Sequence, residues 1–236
     1  MKVRPGFFFF ALGICIFLIP ENSSGQGKFF EHKSLVANYH YGYIWAHRPR
    51  VEHLTTGHTQ GIELSLQTQT DGGKWWQRIH GYPQTGISMM YFDLANREIV
   101  GNAAAAIGYI NFPISRQDGF QLYFQTGAGL GYLTKRYDAV TDHKNMGIGS
   151  HVNAAIRVGM QTRIRLAKKL FFHLEYGITH FSNTSYRLPN LGINNISLAS
   201  GISFAFNDPE KFLEPEIPVV IKNRSEEHTF ELQSHS

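Results

Sequence analysis

Cysteine is nearly missing from this chain: Cys15 is the only one, and it falls in the first 25 residues. The remainder therefore has no thiol for a disulfide, a thiolate metal site or a cysteine nucleophile. Charge is scarce too. Asp, Glu, Lys and Arg make up 17% of the 236 residues, low for a soluble enzyme of this size. The basic residues sit in short clusters such as Lys135-Arg136 and Lys168-Lys169 instead of one stripe, and the formal charge is only +4, which argues against nucleic acid as a partner. Beyond the N-terminal segment, no run reaches the roughly eighteen consecutive apolar residues that a membrane helix requires, and mean hydropathy is slightly negative. These absences leave one membrane architecture open, a closed β-barrel, whose alternating strands hide their apolar face from a hydropathy window.

What the chain has in quantity is aromatic residues, 14%, and glycine, 23 in all. Lys2 and Arg4 precede an apolar run from Phe7 to Ile19, then Pro20 and a small polar stretch ending Ser23-Ser24-Gly25. This is the layout of a secretory signal peptide over residues 1–25. Ile14 stands before Cys15 where a lipoprotein signal carries a small residue, so lipid attachment at that cysteine is not expected.

From there the apolar period is two. Leu35, Ala37, Tyr39, Tyr41, Tyr43 and Trp45 alternate with Asn38, His40 and Gly42; Val152, Ala154, Ile156, Val158, Met160 and Ile164 alternate with His151, Asn153, Arg157, Gly159 and Gln161. Such segments fall at 35–46, 59–70, 84–94, 101–113, 120–134, 147–165, 169–182 and 193–207, with the alternation blurred by Met89-Met90 and by Ala103 to Ala106. A soluble sandwich alternates as well. Strand lengths of about ten residues, aromatic strand ends and the export signal favour a tilted bilayer crossing. The expected fold is all-β, an eight-stranded antiparallel transmembrane β-barrel over 26–207. With the N-terminus in the periplasm, the connections at 47–58, 95–100, 135–146 and 183–192 face the cell exterior. His40, His151 and Arg157 fall on lumen positions, where a packed polar interior accounts for them without a metal. Gly127-Ala128-Gly129-Leu130-Gly131 keeps a period of two inside a strand and so is not a nucleotide loop, and Trp75-Trp76 reads as a girdle or turn anchor.

Residues 208–223, with Pro209, Pro215 and Pro218 among acidic residues, read as a linker. Residues 224–236 resemble a translated sequencing adapter, so a non-native tail is expected there and a natural chain continuing past 223.

The seventh segment carries the candidate chemistry. Its even-numbered face, Leu170, Phe172, Leu174, Tyr176 and Ile178, continues as His180 and Ser182. Alternate side chains of a strand share one face about seven ångströms apart, which makes His180 and Ser182 a candidate base and nucleophile on the outer wall. Asn194, in phase with Ile196, Leu198, Ile202 and Phe204, joins them across the hairpin. A polar group costs about zero to one kcal/mol near the membrane interface but a few at mid-bilayer. The site is thus tolerated only beside lipid head groups and acyl linkages.

His180-Phe181-Ser182-Asn183, then Pro189-Asn190-Leu191-Gly192-Ile193, together with Gly81-Tyr82-Pro83-Gln84-Thr85-Gly86, resembles the lipid A 3-O-deacylases and related acyloxyacyl hydrolases, eight-stranded barrels of the outer membrane. The resemblance spans about Gly81 through Phe206. It implies an ester hydrolase acting on lipopolysaccharide with no metal or organic cofactor, Ser182 as nucleophile, His180 as base and Asn183 as an oxyanion contact. Asn194 stands where the family has glutamate; it can accept a hydrogen bond from His180 but supplies no negative charge, and Glu175, of odd parity, points into the lumen. Arg187, Lys135 and Arg136 are candidates for lipid A phosphates, against the simpler reading of solvated loop charges. Two alternatives stay open: a catalytically silent barrel with a structural or lipid-binding wall, and a phospholipase-like esterase.

Overall fold

A computed structural model describes residues 30–117 and 119–207; the expected signal peptide, linker and tail lie outside the described residues. Eight strands, β1 (Lys33–Ile44), β2 (His58–Gln69), β3 (Gln84–Asp93), β4 (Asn102–Gln117), β5 (Phe120–Leu133), β6 (Val152–Arg165), β7 (Leu170–Ser182) and β8 (Ile193–Ala205), each pair antiparallel with their chain neighbours, and β8 closes on β1. The shortest has 10 residues and the longest 16, enough to cross a bilayer at a barrel's tilt. Closure leaves no edge whose N–H and C=O groups would face hydrocarbon unpaired.

The expected boundaries differ from these by one or two residues at most ends, and by more at two. β4 runs on through Pro113 to Gln117 because the ladder with β5 slips between Pro113 and Ser115; a bulge accommodates proline's missing donor. β6 starts at Val152 instead of 147. Residues 147–151 fold over the barrel mouth: Ile148 is fully buried, its N–H reaches Asn145 Oδ1, and its carbonyl accepts from Tyr137 N.

The period of two becomes two environments. Tyr39, Tyr41, Ile62, Leu64, Met89, Leu130, Tyr176 and Leu198 stand exposed on the outside, the reverse of a water-soluble protein and what a lipid solvent requires. Inside, Arg157 bonds to Glu175, to Gln125 Oε1 at 2.6 Å and to Glu63 Oε2 at 3.5 Å, while His40 meets the same Glu63 oxygen at 2.9 Å and Ser197 Oγ at 3.1 Å. His40, Arg157 and Glu175 are therefore lumenal, as their parity implies; Arg157 pairs with Glu175, and Glu63 links Arg157 to His40. His151 is not. It precedes β6 at the rim, bonds Leu133 O through Nδ1 at 2.8 Å and stacks on the outward ring of Tyr132.

One mouth of the barrel carries the connections 45–57, 94–101, 134–151 and 183–192. An apolar plug fills it: Ile44, Val51, Leu54, Phe92, Leu94, Val100, Leu133, Ile148, Phe181 and Ile193 form one buried cluster, with Val51 and Leu54 supplied by a 3₁₀ helix, Pro49–Leu54. Phe181 and Ile193 of this plug adjoin His180, Ser182 and Asn194 along β7 and β8. The opposite mouth carries the short helix α1 (Trp75–Ile79), where Trp75 is exposed. The Gly81–Gly86 stretch lies there too. Gln69 Nε2 and Thr70 Oγ1 bond the carbonyls of Tyr82 and Pro83, so this motif holds a turn together at the end remote from Ser182.

Candidate active site

The outward face of β7 ends in His180 and then Ser182, both half-buried. Strand register puts His180 between Asn194 of β8 and Ile156 of β6, and Ser182 beside Ala154. His180 Nδ1 lies 2.6 Å from Asn194 Oδ1. An amide oxygen can only accept, so this bond keeps the imidazole proton on Nδ1 and leaves the Nε2 lone pair free to act as a base.

Asn194 is itself held from behind. Its Nδ2 donates to Nδ1 of His47 at 2.8 Å, a residue of the β1–β2 connection that the sequence reading did not single out. That connection is tied to β8 through the backbone, with Trp45 N bonded to Asn194 O at 2.8 Å.

Ser182 Oγ accepts from Asn190 Nδ2 at 3.0 Å and from Thr184 N at 3.4 Å. Thr184 and Ser185 both have positive φ, 54° and 67°, which folds the chain sharply after Ser182 and turns the Thr184 N–H back onto it. His180 and Ser182 share the wall, as expected, and no hydrogen bond joins them directly.

Asn183 has a different place from the one its motif implies. It is buried, and its Nδ2 donates to Ser150 Oγ and to Arg187 O, both at 2.9 Å, while its Oδ1 accepts from Ser185 N at 2.9 Å. With both amide protons committed, it staples the 183–192 connection to residue 150. The donor turned toward Ser182 is Asn190, whose Oδ1 in turn accepts from Asn183 N at 3.1 Å. Asn190 was quoted within the motif but given no role; only the loop's fold brings it back onto the serine.

Gly192 completes the enclosure. Its φ is +79°, a region costly for residues with a Cβ, and a methyl there would sit 2.6 Å from His180 Cε1. The His180 ring therefore packs directly against backbone.

Next to the polar cluster an apolar groove of about 300 Å³ runs along the lipid-facing wall, lined by Phe124, Val158, Met160, Tyr176, Ile178 and Ile196. Ile178 and Ile196 are the outward neighbours of His180 and Asn194 on their own strands, so groove and polar cluster are continuous. Lys135 and Arg187 are exposed and Arg136 is half-buried. All three sit on the two connections flanking the β6–β7 pair, at the same mouth as Ser182. Among the described residues no group of three or more His, Cys, Asp or Glu could hold a metal ion.

A closed eight-stranded antiparallel barrel with an apolar outside and a polar inside is the fold of outer-membrane barrels, and the structure of Neisserial surface protein A shares it at a TM-score of 0.52, with 8% identity over 75% of this chain and 98% of that one. The outer-membrane enzyme PagL aligns at a TM-score of 0.43 with 17% identity over 71% of this chain and 97% of that one. The chain belongs to the lipid A 3-O-deacylase (PagL) family, whose sequence pattern matches residues 60–203, more than half its length. No curated protein matches the sequence closely enough to add to this.

Proposed function

We propose that this chain is an outer-membrane esterase that removes the 3-O-linked acyl chain of lipid A with Ser182 as nucleophile and His180 as base. The observation that carries the reading is the His180–Asn194 bond on the lipid-facing wall, which sets the tautomer a base needs. His180 Nε2 takes the Ser182 hydroxyl proton as Oγ attacks the ester carbonyl. The tetrahedral oxyanion is met by donors already aimed at Ser182, the Asn190 amide and the Thr184 N–H. Collapse expels the sugar 3-hydroxyl, which takes the proton back from His180, and leaves an acyl-Ser182 ester. Water, deprotonated by His180, then releases the fatty acid and restores the serine.

The groove below the site suits the scissile acyl chain, since its lining is aliphatic and aromatic. A lipid in the outer leaflet meets it sideways, without leaving the membrane. Lys135, Arg136 and Arg187, on connections at the same mouth as Ser182, are the residues we assign to the head group's phosphates. The reaction as written uses no metal or organic cofactor.

The neutral Asn194 favours a second reading, a wall that binds lipid but no longer cuts it. Lipid A and phospholipids extracted from cells making the barrel, Ser182→Ala or His180→Ala, and weighed by mass spectrometry, separate the two. Loss of one acyl chain from lipid A only with the intact pair is the expected result. Unchanged lipids in all three, with insertion verified, would leave the silent wall, and a change confined to phospholipids would reassign the substrate.

A further inference from the structure

Asn194 stands between two histidines, and an amide cannot treat them alike. A carboxylate at this position could accept a hydrogen bond from both. The amide accepts through Oδ1 and donates through Nδ2, so two arrangements of the row are possible. In the first, Oδ1 faces His180, whose proton is then on Nδ1 and whose Nε2 is a free base, while Nδ2 donates to an unprotonated His47 Nδ1. In the second the amide is turned over: His47 Nδ1 carries a proton and donates to Oδ1, Nδ2 donates to His180 Nδ1, and the neutral His180 proton moves to Nε2, where it blocks uptake of the serine proton.

The structure has the first arrangement, with 2.6 Å from His180 Nδ1 to Oδ1 and 2.8 Å from Nδ2 to His47 Nδ1. Asn194 is only 8% exposed, so water offers its amide little alternative. His47 is brought there by backbone pairing: Trp45 N bonds Asn194 O at 2.8 Å, and His47 N turns back onto Trp45 O at 3.0 Å.

We propose that His47 is a positioning residue for the Ser182/His180 reaction: by accepting from Asn194 Nδ2 it fixes the orientation of that amide and thereby the base-competent tautomer of His180. The proposal rests on the esterase reading above. It also gives the Asn-for-Glu exchange a compensating partner. A hydrogen bond from Nδ2 to an imidazole lone pair draws electron density toward Oδ1 through the amide, and linked bonds of this kind strengthen one another. The oxygen that faces His180 becomes a better acceptor for a forming imidazolium than that of an isolated asparagine.

The test uses the full barrel refolded in detergent with ¹⁵N-labelled histidine, and lipid A as substrate. His47→Ala removes the acceptor; His47→Asn keeps one, since an asparagine Oδ1 can stand where the imidazole Nδ1 was. Expected is a kcat about tenfold or more lower for His47→Ala at little change in KM, near-recovery in His47→Asn, and no effect of His47→Ala in an Asn194→Glu background, where a carboxylate accepts without needing orientation. Imidazole ¹⁵N shifts, with His180→Ala to assign the signal, report the tautomer without any turnover. They are expected to give the Nδ1–H form of His180 in the unaltered protein and a mixture in His47→Ala. Equal losses in His47→Ala and His47→Asn, or an unchanged His180 tautomer in His47→Ala, would overturn the positioning role. A barrel with the expected tautomers that leaves lipid A intact would instead count against the esterase reading alone.

Discussion

A methyl group on Gly192 would lie 2.6 Å from Cε1 of His180, closer than unbonded carbons approach. The left-handed backbone at Gly192, φ +79°, independently disfavours any side chain. The His180 ring and the Asn194 bond that holds it are thus built against a bare backbone. Gly192→Ala is expected to fold, because the β7–β8 ladder below it is untouched, but to push the ring off Asn194. Misplacement by about 1 Å can cost about a hundredfold in rate. A kcat loss of that order, with an unaltered heat-dependent gel shift of the folded barrel, is the outcome to look for.

Asn194 orients His180 but brings no charge. Replacing it by leucine removes the acceptor, and kcat is expected to fall by roughly 10- to 100-fold. Replacing it by glutamate supplies both acceptor and charge, and kcat is expected to rise. Steady-state kinetics of Asn194→Leu and Asn194→Glu on lipid A check both directions.

The two neighbouring asparagines separate by role. Asn190 donates to Ser182 Oγ, whereas Asn183 bonds Ser150 and Arg187. Loss of an oxyanion donor typically costs about 10² to 10³ in kcat, so Asn190→Ala is expected to lose that much while its outer connections keep their resistance to protease. Asn183→Ala is expected to do the reverse in emphasis, exposing the 183–192 connection to cleavage with a smaller loss of rate.

The barrel and the parity of its residues were readable because lipid and lumen impose opposite demands on alternate positions. That is why the sequence alone puts His180, Ser182 and Asn194 on one wall and Glu175 inside. Where a residue acts through an aperiodic connection, the period carries no information. His47 reaches Asn194 across the β1–β8 closure, 147 positions apart in sequence, and nothing local marks it. The side chain of Asn190, given no role from the sequence, is turned onto Ser182, while that of Asn183 turns to Ser150 and Arg187; the chain reverses there through two positive φ angles at Thr184 and Ser185, residues whose types do not announce them. Residues 147–151 look strand-like through Gly147, Ile148 and Gly149, yet Ile148 is drawn into the apolar plug, a demand of the mouth and not of the sheet. His151 follows it out of the lumen.

The proposed chemistry stands on one step, activation of Ser182 by His180 on the lipid-facing wall. A long-chain alkyl fluorophosphonate in mixed micelles with the folded barrel tests it directly, followed by peptide mass spectrometry in a preparation that releases fatty acid from lipid A. One phosphonyl adduct is expected, on Ser182, formed far more slowly in His180→Ala. An adduct on a different residue, or labelling of Ser182 at the same rate without His180, would contradict it.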